Sequence, residues 1–383
     1  MRCDYFDAGV CRSCALMGVP YAAQLADKDA LVRAALASRA DASVWAEPFS
    51  GPESGFRNKA KLVVGGRRGD PVLGILDGDG AVADLTRCGL YEPVLREAVL
   101  ALPGLVGQAE LTPYDVRTRN GELKHVLATH SPDGELMLRF VLRSAGQLER
   151  LRRFVPTLQQ ELPGATVVSA NLLPEHKAVL EGAHEVVLTA HDSLAMRVND
   201  VVLHLRPQSF FQTNTTVAAA LYHQATEWVA AVRPELLWDL YCGVGGFALH
   251  ALVSGAAQHV VGVEVSEQAV QSARRTSEEL GMGPGPRRAE FRVGDASSLE
   301  LAQGSRSPDL VVVNPPRRGI GAALAHHLDT THAVRHVAYS SCNVTSLARD
   351  LESMPSFEVR SARLFDMFPQ TSHHEVLVLL ERR

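Results

Sequence analysis

The hydrophobic and polar positions of the chain follow two patterns, which change near residue 200. In the first region, residues 21–40 predict an amphipathic helix, because apolar residues recur at helical spacing among charged ones. Strands are predicted further along, at residues 61–64, 137–142 and 166–171. Between the last two strands, residues 147–162 predict a helix interrupted near Pro156, because proline removes a helical hydrogen bond. This alternation indicates an α+β region.

The second region has the pattern of a parallel sheet with helices on both faces. Its apolar runs do not alternate with polar residues, which indicates strands that are buried on both sides. The predicted strands are residues 236–241, 260–264, 291–295, 310–314, 336–339, 357–364 and 376–380. We therefore expect an α/β protein with a Rossmann-like carboxyl-terminal domain.

A glycine-rich turn follows the first of these strands. Residues 239–246 read Asp-Leu-Tyr-Cys-Gly-Val-Gly-Gly, which places glycines where the chain turns sharply and a ligand can approach the backbone. Glu264 ends the next strand, 21 positions after Gly243, where an acid can accept hydrogen bonds from ribose hydroxyls. Strand, turn, helix, strand and acid in this order predict a site for a nucleoside cofactor.

Asn314, Pro315 and Pro316 follow a later strand, and this triplet is typical of methyltransferases. Dehydrogenases share the glycine turn but not the triplet. Enzymes that methylate exocyclic nitrogens normally have an aromatic residue next, whereas Arg317 and Arg318 follow here. The two arginines favour contact with phosphate or the substrate backbone. The alternative is an ordinary turn between a strand and a helix.

The run Ser-Ser-Cys-Asn at residues 340–343 ends another strand, and Glu375 follows about thirty residues later. Uracil C5 is too weakly nucleophilic to take a methyl group until a thiolate adds to C6, and a base must later remove the C5 proton. Cys342 is the candidate nucleophile and Glu375 the candidate base. The alternatives are a buried structural cysteine and a surface acid. The shared carboxyl edge of the strands favours the catalytic interpretation.

Four other cysteines lie in the first quarter of the chain, at Cys3, Cys11, Cys14 and Cys88. A disulfide framework is not expected in a large chain with an α/β pattern and no secretory signal. Together the four thiols suggest one metal site, and the spacing fits either structural zinc or an iron-sulfur cluster. Unrelated cysteines are the alternative.

Composition narrows the possible partners. The 383 residues carry a formal net charge of −5, so the chain as a whole has no electrostatic attraction for nucleic acid. A local basic face is predicted where Arg57, Lys59 and Lys61 alternate along a strand, and a merely solvated strand face is the alternative. No apolar run approaches the roughly 18 residues of a membrane span, so we expect no membrane contact and a cytoplasmic location.

These motifs resemble the RNA uracil-C5 methyltransferases, which use S-adenosylmethionine and carry a [4Fe-4S] cluster, and the resemblance covers essentially the whole chain. It implies that Cys342 is the nucleophile and Glu375 the base. It also implies that the methyl donor contacts Gln212, Tyr241, Glu264 and Asn314, with Gln212 in the run Arg-Pro-Gln-Ser-Phe-Phe-Gln-Thr-Asn at residues 206–214. The cluster ligands that it implies are Cys3, Cys11, Cys14 and Cys88. Many relatives have Asp in place of Asn314 and His in place of Gln370.

Within the family, the starts and ends of the chain are most similar to members that act on uracil 747 of 23S rRNA, which lack a separate RNA-binding barrel. The resemblance implies three segments. Residues 1–90 bind the iron-sulfur cluster and begin the central region, residues 91–200 form a central α+β RNA-binding domain, and residues 201–383 form the methyltransferase domain. It implies 23S rRNA as the partner and no obligate protein partner. The alternatives are the same chemistry on tRNA or another rRNA uridine, and a non-catalytic RNA-binding protein stabilised by a metal.

Overall fold

A computed structural model describes residues 1–177, 179–283, 287–296 and 306–383. The chain forms two compact units. Unit 1 consists of Met1–Gly18 and Glu53–Met196, and unit 2 of Val19–Pro52 and Arg197–Arg383. In the part of the chain that is described, no helix is long and apolar enough to cross a membrane.

The elements are labelled in chain order over the described residues. The α-helices are α1 (Asp4–Asp7), α2 (Tyr21–Ala35), α3 (Pro93–Gln108), α4 (Leu148–Glu161), α5 (Thr215–Val232), α6 (Gly246–Val253), α7 (Glu267–Glu279), α8 (Gly321–Thr330) and α9 (Val344–Glu352). The strands before residue 200 are β1 (Lys59–Arg67), β2 (Asp70–Leu76), β3 (Val82–Asp84), β4 (Leu123–His130), β5 (Leu136–Leu142), β6 (Ala165–Leu172), β7 (His184–Val187) and β8 (Leu194–Val198). The later strands are β9 (Val201–Leu205), β10 (Leu236–Leu240), β11 (His259–Glu264), β12 (Arg288–Val293), β13 (Leu310–Val313), β14 (His336–Ser341), β15 (Phe357–Phe365) and β16 (Glu375–Arg382).

Unit 1 is built on one mixed sheet in the order β3-β2-β1-β4-β5-β6-β7. Neighbouring strands are antiparallel except for the parallel pair β5 and β6, which the helix α4 connects. Strands on both sides of residue 90 belong to this sheet, because β1 pairs with both β2 and β4.

The predicted interruption of α4 near Pro156 is wrong. The helix is continuous from Leu148 to Glu161 with Pro156 inside it. Leu151, Val155 and Leu158 are buried on one face of the helix and belong to the core of unit 1. Burial of this apolar face on both sides of the proline offsets the single backbone hydrogen bond that proline removes.

Unit 2 contains the predicted Rossmann-like sheet, in the order β12-β11-β10-β13-β14-β16-β15. The strands from β12 to β14 are parallel, and β16 is inserted antiparallel between β14 and β15. The order of connection reverses between β10 and β13. In open sheets of this kind, ligands bind outside the carboxyl ends of the strands at such a reversal.

The early segment Val19–Pro52 belongs to unit 2. Val32 and Leu36 are fully buried in the same core as the strands of the parallel sheet. The chain after α2 then runs along β15, where Trp45 pairs with Ala362 and Phe49 with Phe365. This burial places the segment with the carboxyl-terminal sheet.

Candidate active site

The glycine turn after β10 has the conformation that its sequence predicts. Gly243 and Gly245 have φ angles of 54° and 85°, in the left-handed region that favours glycine. Gly245 is also the residue that caps the start of α6. Tyr241 has a φ of 63°, which is uncommon for a residue with a side chain. Such strained positions concentrate at functional sites.

Glu264 ends β11 beside this turn. Its Oε2 accepts a hydrogen bond from the Gly243 N–H at 3.1 Å, and its Oε1 accepts one from the Ser266 N–H at 2.9 Å. The acid therefore fixes the glycine turn to the end of the neighbouring strand. Each carboxylate oxygen retains a second lone pair, which ribose hydroxyls could use.

Gln212 lies in the segment between β9 and α5. It is 8% exposed, whereas Phe210 nearby is 71% exposed. Asn214 caps α5, since its side chain accepts a hydrogen bond from the Val217 N–H. The cap fixes the end of this segment at the start of the helix.

Asn314, Ser340 and Glu375 meet at the ends of three adjacent strands. Glu375 begins β16, and its Oε1 accepts hydrogen bonds from the Ser340 hydroxyl at 2.5 Å and from Asn314 Nδ2 at 3.2 Å. Asn314 Nδ2 also approaches the Ser340 carbonyl oxygen at 3.4 Å. The predicted cofactor contact Asn314 is thus joined to the predicted base.

Cys342 lies in the turn that follows β14, two residues after Ser340, and is half-buried. Asn343 caps α9 through a hydrogen bond from the Thr345 N–H to its side chain. The pKa of Cys342 is raised by burial and by the negative charge of Glu375, while Arg317 opposes the increase. Ser341 pairs with Val376 across β14 and β16, so Cys342 and Glu375 lie at the same end of this strand pair.

Burial raises the pKa of Glu375 to about 7, and the hydrogen bonds from Ser340 and Asn314 limit the increase. A carboxyl group with this pKa exchanges a proton readily near neutral pH. The site can therefore provide a thiol nucleophile and a proton acceptor side by side.

Arg317, which follows the proline pair, lies on the outer side of this group. Its side chain is 3.4 Å from the imidazole of His373, and its carbonyl oxygen accepts a hydrogen bond from Asn343 Nδ2 at 3.0 Å. The guanidinium opposes the rise in the pKa of Cys342 that burial and Glu375 cause. Arg317 is thus placed to stabilise a thiolate.

Sequence reasoning gave no role to Ser340 or to Asp239, although both are polar residues inside otherwise buried strands. That contrast was the available signal. Asp239 lies fully buried in β10, and its Oδ2 accepts a hydrogen bond from the Ala248 N–H at 3.0 Å. Its Oδ1 has no hydrogen-bond partner in the described residues. Burial, with Glu264 nearby, raises the pKa of Asp239 to about 7.

The four predicted metal ligands lie together in unit 1. Cys3, Cys11, Cys14 and Cys88 line one cavity of about 170 Å³. Burial and the other three cysteines raise the pKa of Cys14 to about 11. In the part of the chain that the structure describes, no three His, Cys, Asp or Glu side chains form a site for a single metal ion. The cavity has the thiols for a metal group but not the tight geometry of one bound ion.

The predicted basic face is next to this cavity. Arg57, Lys59 and Lys61 line it, while Ala60 and Leu62 point into the core on the opposite side of β1. Burial, with Arg139 and Lys61 nearby, lowers the pKa of Lys59 to about 8. Lys59 and Lys61 lie on one face of β1, whereas Arg57 precedes the strand and forms an isolated bridge with Tyr91.

The chain is similar in sequence to known uracil methyltransferases. The family model described as tRNA (Uracil-5-)-methyltransferase matches residues 276–383. The chain is 45% identical over its full length to the full-length 23S rRNA (uracil(747)-C(5))-methyltransferase RlmC of Serratia proteamaculans. It is 44% identical, again over all of both chains, to the protein of that name from Escherichia coli.

A solved structure shares the fold. The crystal structure of Pyrococcus abyssi tRNA (uracil-54, C5)-methyltransferase in complex with S-adenosyl-L-homocysteine matches with a TM-score of 0.78. The match covers 96% of this chain and 85% of that one, at 24% identity. This likeness confirms the predicted methyltransferase fold. The identity of 44–45% to curated relatives, over the whole length of both chains, shows that the chain belongs to the RNA uracil-C5 methyltransferase family.

Proposed function

We propose that the protein transfers a methyl group from S-adenosylmethionine to C5 of uridine 747 in 23S rRNA, giving 5-methyluridine. The relatives that span its whole length carry this activity in their names. The observation that carries the proposal is that Cys342, just after β14, and Glu375, at the start of β16, lie at the same end of two paired strands, at the carboxyl edge of the parallel strands. The family's chemistry requires this pair, and the edge is where such sheets bind their ligands.

The chemistry starts with the Cys342 thiolate, which Arg317 stabilises. The thiolate forms a bond to C6 of the uracil, and the electrons of the C5–C6 double bond move to give an enolate. C5 then forms a bond to the methyl group of the donor as the bond between that methyl group and the donor's sulfur breaks, which leaves S-adenosylhomocysteine. Glu375 takes the proton from C5, the C5–C6 double bond re-forms, and the C6–S bond breaks to release Cys342 as a thiolate. The target uridine must leave its stack to reach this buried edge.

The methyl donor supplies an electrophilic methyl group when it is bound. Tyr241, Glu264, Gln212 and Asn314 are the residues that we propose to hold it. In support, the Glu264 carboxylate and the glycine turn form a rigid cradle at the reversal point of the sheet. Asn314 would then contact both the donor and the base.

We propose that Cys3, Cys11, Cys14 and Cys88 hold a [4Fe-4S] cluster. The donor set fits, because four thiols line one cavity. The Arg57, Lys59 and Lys61 side chains nearby would offset the negative charge of the thiolates and could also contact RNA phosphates. The proposed role of the cluster is to stabilise unit 1 and to position RNA. We propose that the protein is located in the cytoplasm and has no obligate protein partner.

The test is methyl transfer from labelled S-adenosylmethionine to unmodified 23S rRNA, with the product nucleoside mapped by mass spectrometry. We expect 5-methyluridine at position 747. A parallel assay uses tRNA, because the matching family model is described by that substrate. Methylation of tRNA alone would keep the chemistry and overturn the rRNA target. Binding of rRNA without methylation of either RNA would favour a non-catalytic RNA-binding protein.

Two variants test the catalytic pair. Cys342→Ala should abolish turnover, because the variant lacks the thiol that adds to C6. Glu375→Gln should let a covalent protein-RNA adduct accumulate, because the amide cannot take the C5 proton. A denaturing gel detects the adduct. Turnover by Cys342→Ala, or a Glu375→Gln enzyme that turns over without adduct, would contradict the assignments.

A further inference from the structure

The two oxygens of the Glu375 carboxylate lie in different environments. Both donors around it, the Ser340 hydroxyl at 2.5 Å and the Asn314 amide at 3.2 Å, reach the same oxygen, Oε1. Ser340 is fully buried and Glu375 is 2% exposed, so water competes little for these hydrogen bonds. No side chain among the described residues donates a hydrogen bond to Oε2.

We propose that Ser340 and Asn314 are positioning residues that hold Oε1, so that Oε2 is the atom that takes the C5 proton. The inference rests on the proposed function, because it concerns the last step of that reaction. In this step the C5–H bond breaks and its proton goes to Oε2. The electron pair forms the C5–C6 double bond, and the C6–S bond breaks. Ser340 and Asn314 donate to Oε1 throughout and exchange no proton with the substrate.

The placement follows from the fold. Ser340 and Cys342 lie two positions apart at the end of β14, and β14 pairs with β16, which Glu375 begins. Asn314 follows β13, the other neighbour of β14. One short stretch therefore carries both the nucleophile and a hydrogen bond to the base. The geometry of the base is thereby tied to the position of the nucleophile.

The charges around Glu375 agree with this role. Hydrogen bonds to the ionised form of a carboxyl group favour that form, and here they oppose the effect of burial on the pKa. Among the described residues, Cys342 in the turn after β14 and Tyr222 on α5 interact electrostatically with Glu375, and His374 precedes it in the chain. Burial raises the pKa of Cys342 and of Tyr222 and lowers the pKa of His374, so all three are uncharged in the free enzyme at neutral pH.

The uncharged amide of Asn314 also favours the ionised form of Glu375. An amide donates a hydrogen bond to Glu375, whereas an aspartate at this position would place a second carboxylate beside it. Two carboxylates at such a distance cannot both ionise easily, and one of them keeps a proton. Asn314→Asp should therefore make Glu375 a base only at higher pH.

The experiment separates methyl transfer from proton removal. Wild-type enzyme, Ser340→Ala, Ser340→Thr and Asn314→Asp are mixed with labelled S-adenosylmethionine and 23S rRNA in a single turnover. Methyl incorporation and covalent adduct are followed over time between pH 6 and 9. Ser341→Ala is the matched control, because the Ser341 hydroxyl bonds to the backbone of Asn343 and not to Glu375.

We expect Ser340→Ala to form the methylated adduct but to release it roughly ten- to a hundredfold more slowly, as for loss of a hydrogen bond to a charged group. The midpoint of the pH profile of release should move to higher pH in Ser340→Ala and in Asn314→Asp. Ser340→Thr should restore release, because it keeps the hydroxyl. Ser341→Ala should keep the wild-type midpoint.

Release from Ser340→Ala with the wild-type rate and midpoint would overturn the inference and leave the proposed function intact. If Ser340→Ala does not fold, an unshifted midpoint in Asn314→Asp would overturn it instead. Equal slowing of methyl transfer and release, with no change in midpoint, would assign the hydrogen bonds a purely structural role. A wild-type enzyme that methylates no uridine would remove both the proposed function and this inference.

Discussion

At the scale of single residues, the buried acids set the properties of unit 2. Asp239 and Glu375 are both fully enclosed in strands of the parallel sheet, and burial brings the pKa of each to about 7. Glu375 has donors at Oε1, whereas Oδ1 of Asp239 has no partner in the described residues. An ionised carboxylate without full hydrogen bonding is costly in such a place. Hydrogen bonds therefore stabilise the ionised form of Glu375, whereas one oxygen of Asp239 lacks such stabilisation.

Asp239→Asn tests this cost. The pKa of Asp239 is raised on folding, so its contribution favours folding at low pH and is lost as the pH rises through about 7. The asparagine keeps an acceptor for Ala248 and has no charge to bury. Between pH 5 and 7, the free energy of unfolding of the variant should gain roughly 2 kcal/mol on that of the wild type. Urea unfolding at both pH values measures the difference, and an unchanged difference would refute the assignment.

The pH dependence of product release is a second prediction at this scale. Glu375 must be ionised to take the C5 proton, and its pKa is about 7. After adduct formation at pH 8, a jump to pH 6 should therefore slow release roughly tenfold, since with a pKa of about 7 the ionised fraction falls from about 0.9 to about 0.1. Rapid quenching followed by a denaturing gel gives the rate. A release rate that is the same at both pH values would show that Glu375 is not the base.

At the scale of elements, α2 fixes the loop between β15 and β16. Lys28 forms a buried ion pair with Asp366 at 2.7 Å, and Tyr21 donates a hydrogen bond to the same carboxylate. Gln24 exchanges hydrogen bonds with Gln370, which has a φ of 67°. This loop leads directly to Glu375. The helix α2 thus holds the segment that precedes Glu375.

Lys28→Met should destabilise unit 2, because it leaves the buried Asp366 carboxylate without its cation. Loss of one partner of a buried ion pair costs roughly 3–5 kcal/mol. Arg33→Met on the same helix is the control. Arg33 pairs with Asp29 one helical turn away, and both side chains keep partial access to solvent, so its loss should cost only about 1 kcal/mol. Thermal unfolding compares the two variants, and equal losses would mean that Lys28 adds nothing beyond a surface pair.

At the scale of the whole molecule, the two kinds of predicted site lie in different units. The four cysteines belong to unit 1, and Cys342, Glu375 and the proposed cofactor residues belong to unit 2. Cys88→Ser should therefore lower the iron and acid-labile sulfide content, while binding of S-adenosylmethionine remains. Cys342→Ala should keep its iron and lose turnover. Iron analysis and calorimetry measure both properties, and full iron content in Cys88→Ser would contradict the cluster assignment.

Much of the fold was predictable because local patterns determine it. Strands buried on both faces read as apolar runs, and glycines mark the turn after β10 where positive φ angles are needed. The amphipathic helix at the start of Val19–Pro52 was also predictable. Its attachment to the carboxyl-terminal sheet was not, because periodicity reports which face of a helix is buried and not what covers it.

Residue types and their spacing in the sequence set the chemical groups of this protein, and in the second half of the chain they also set the order of these groups along the parallel strands. Cys342, Glu375, the glycine turn and the four early cysteines follow from residue type and spacing. Only the tertiary structure decided that α4 continues through Pro156, that α2 supports the loop before Glu375, and that Ser340 and Asn314 share one carboxylate oxygen. These features depend on contacts between residues far apart in the chain, and such contacts leave no periodic signal in either partner.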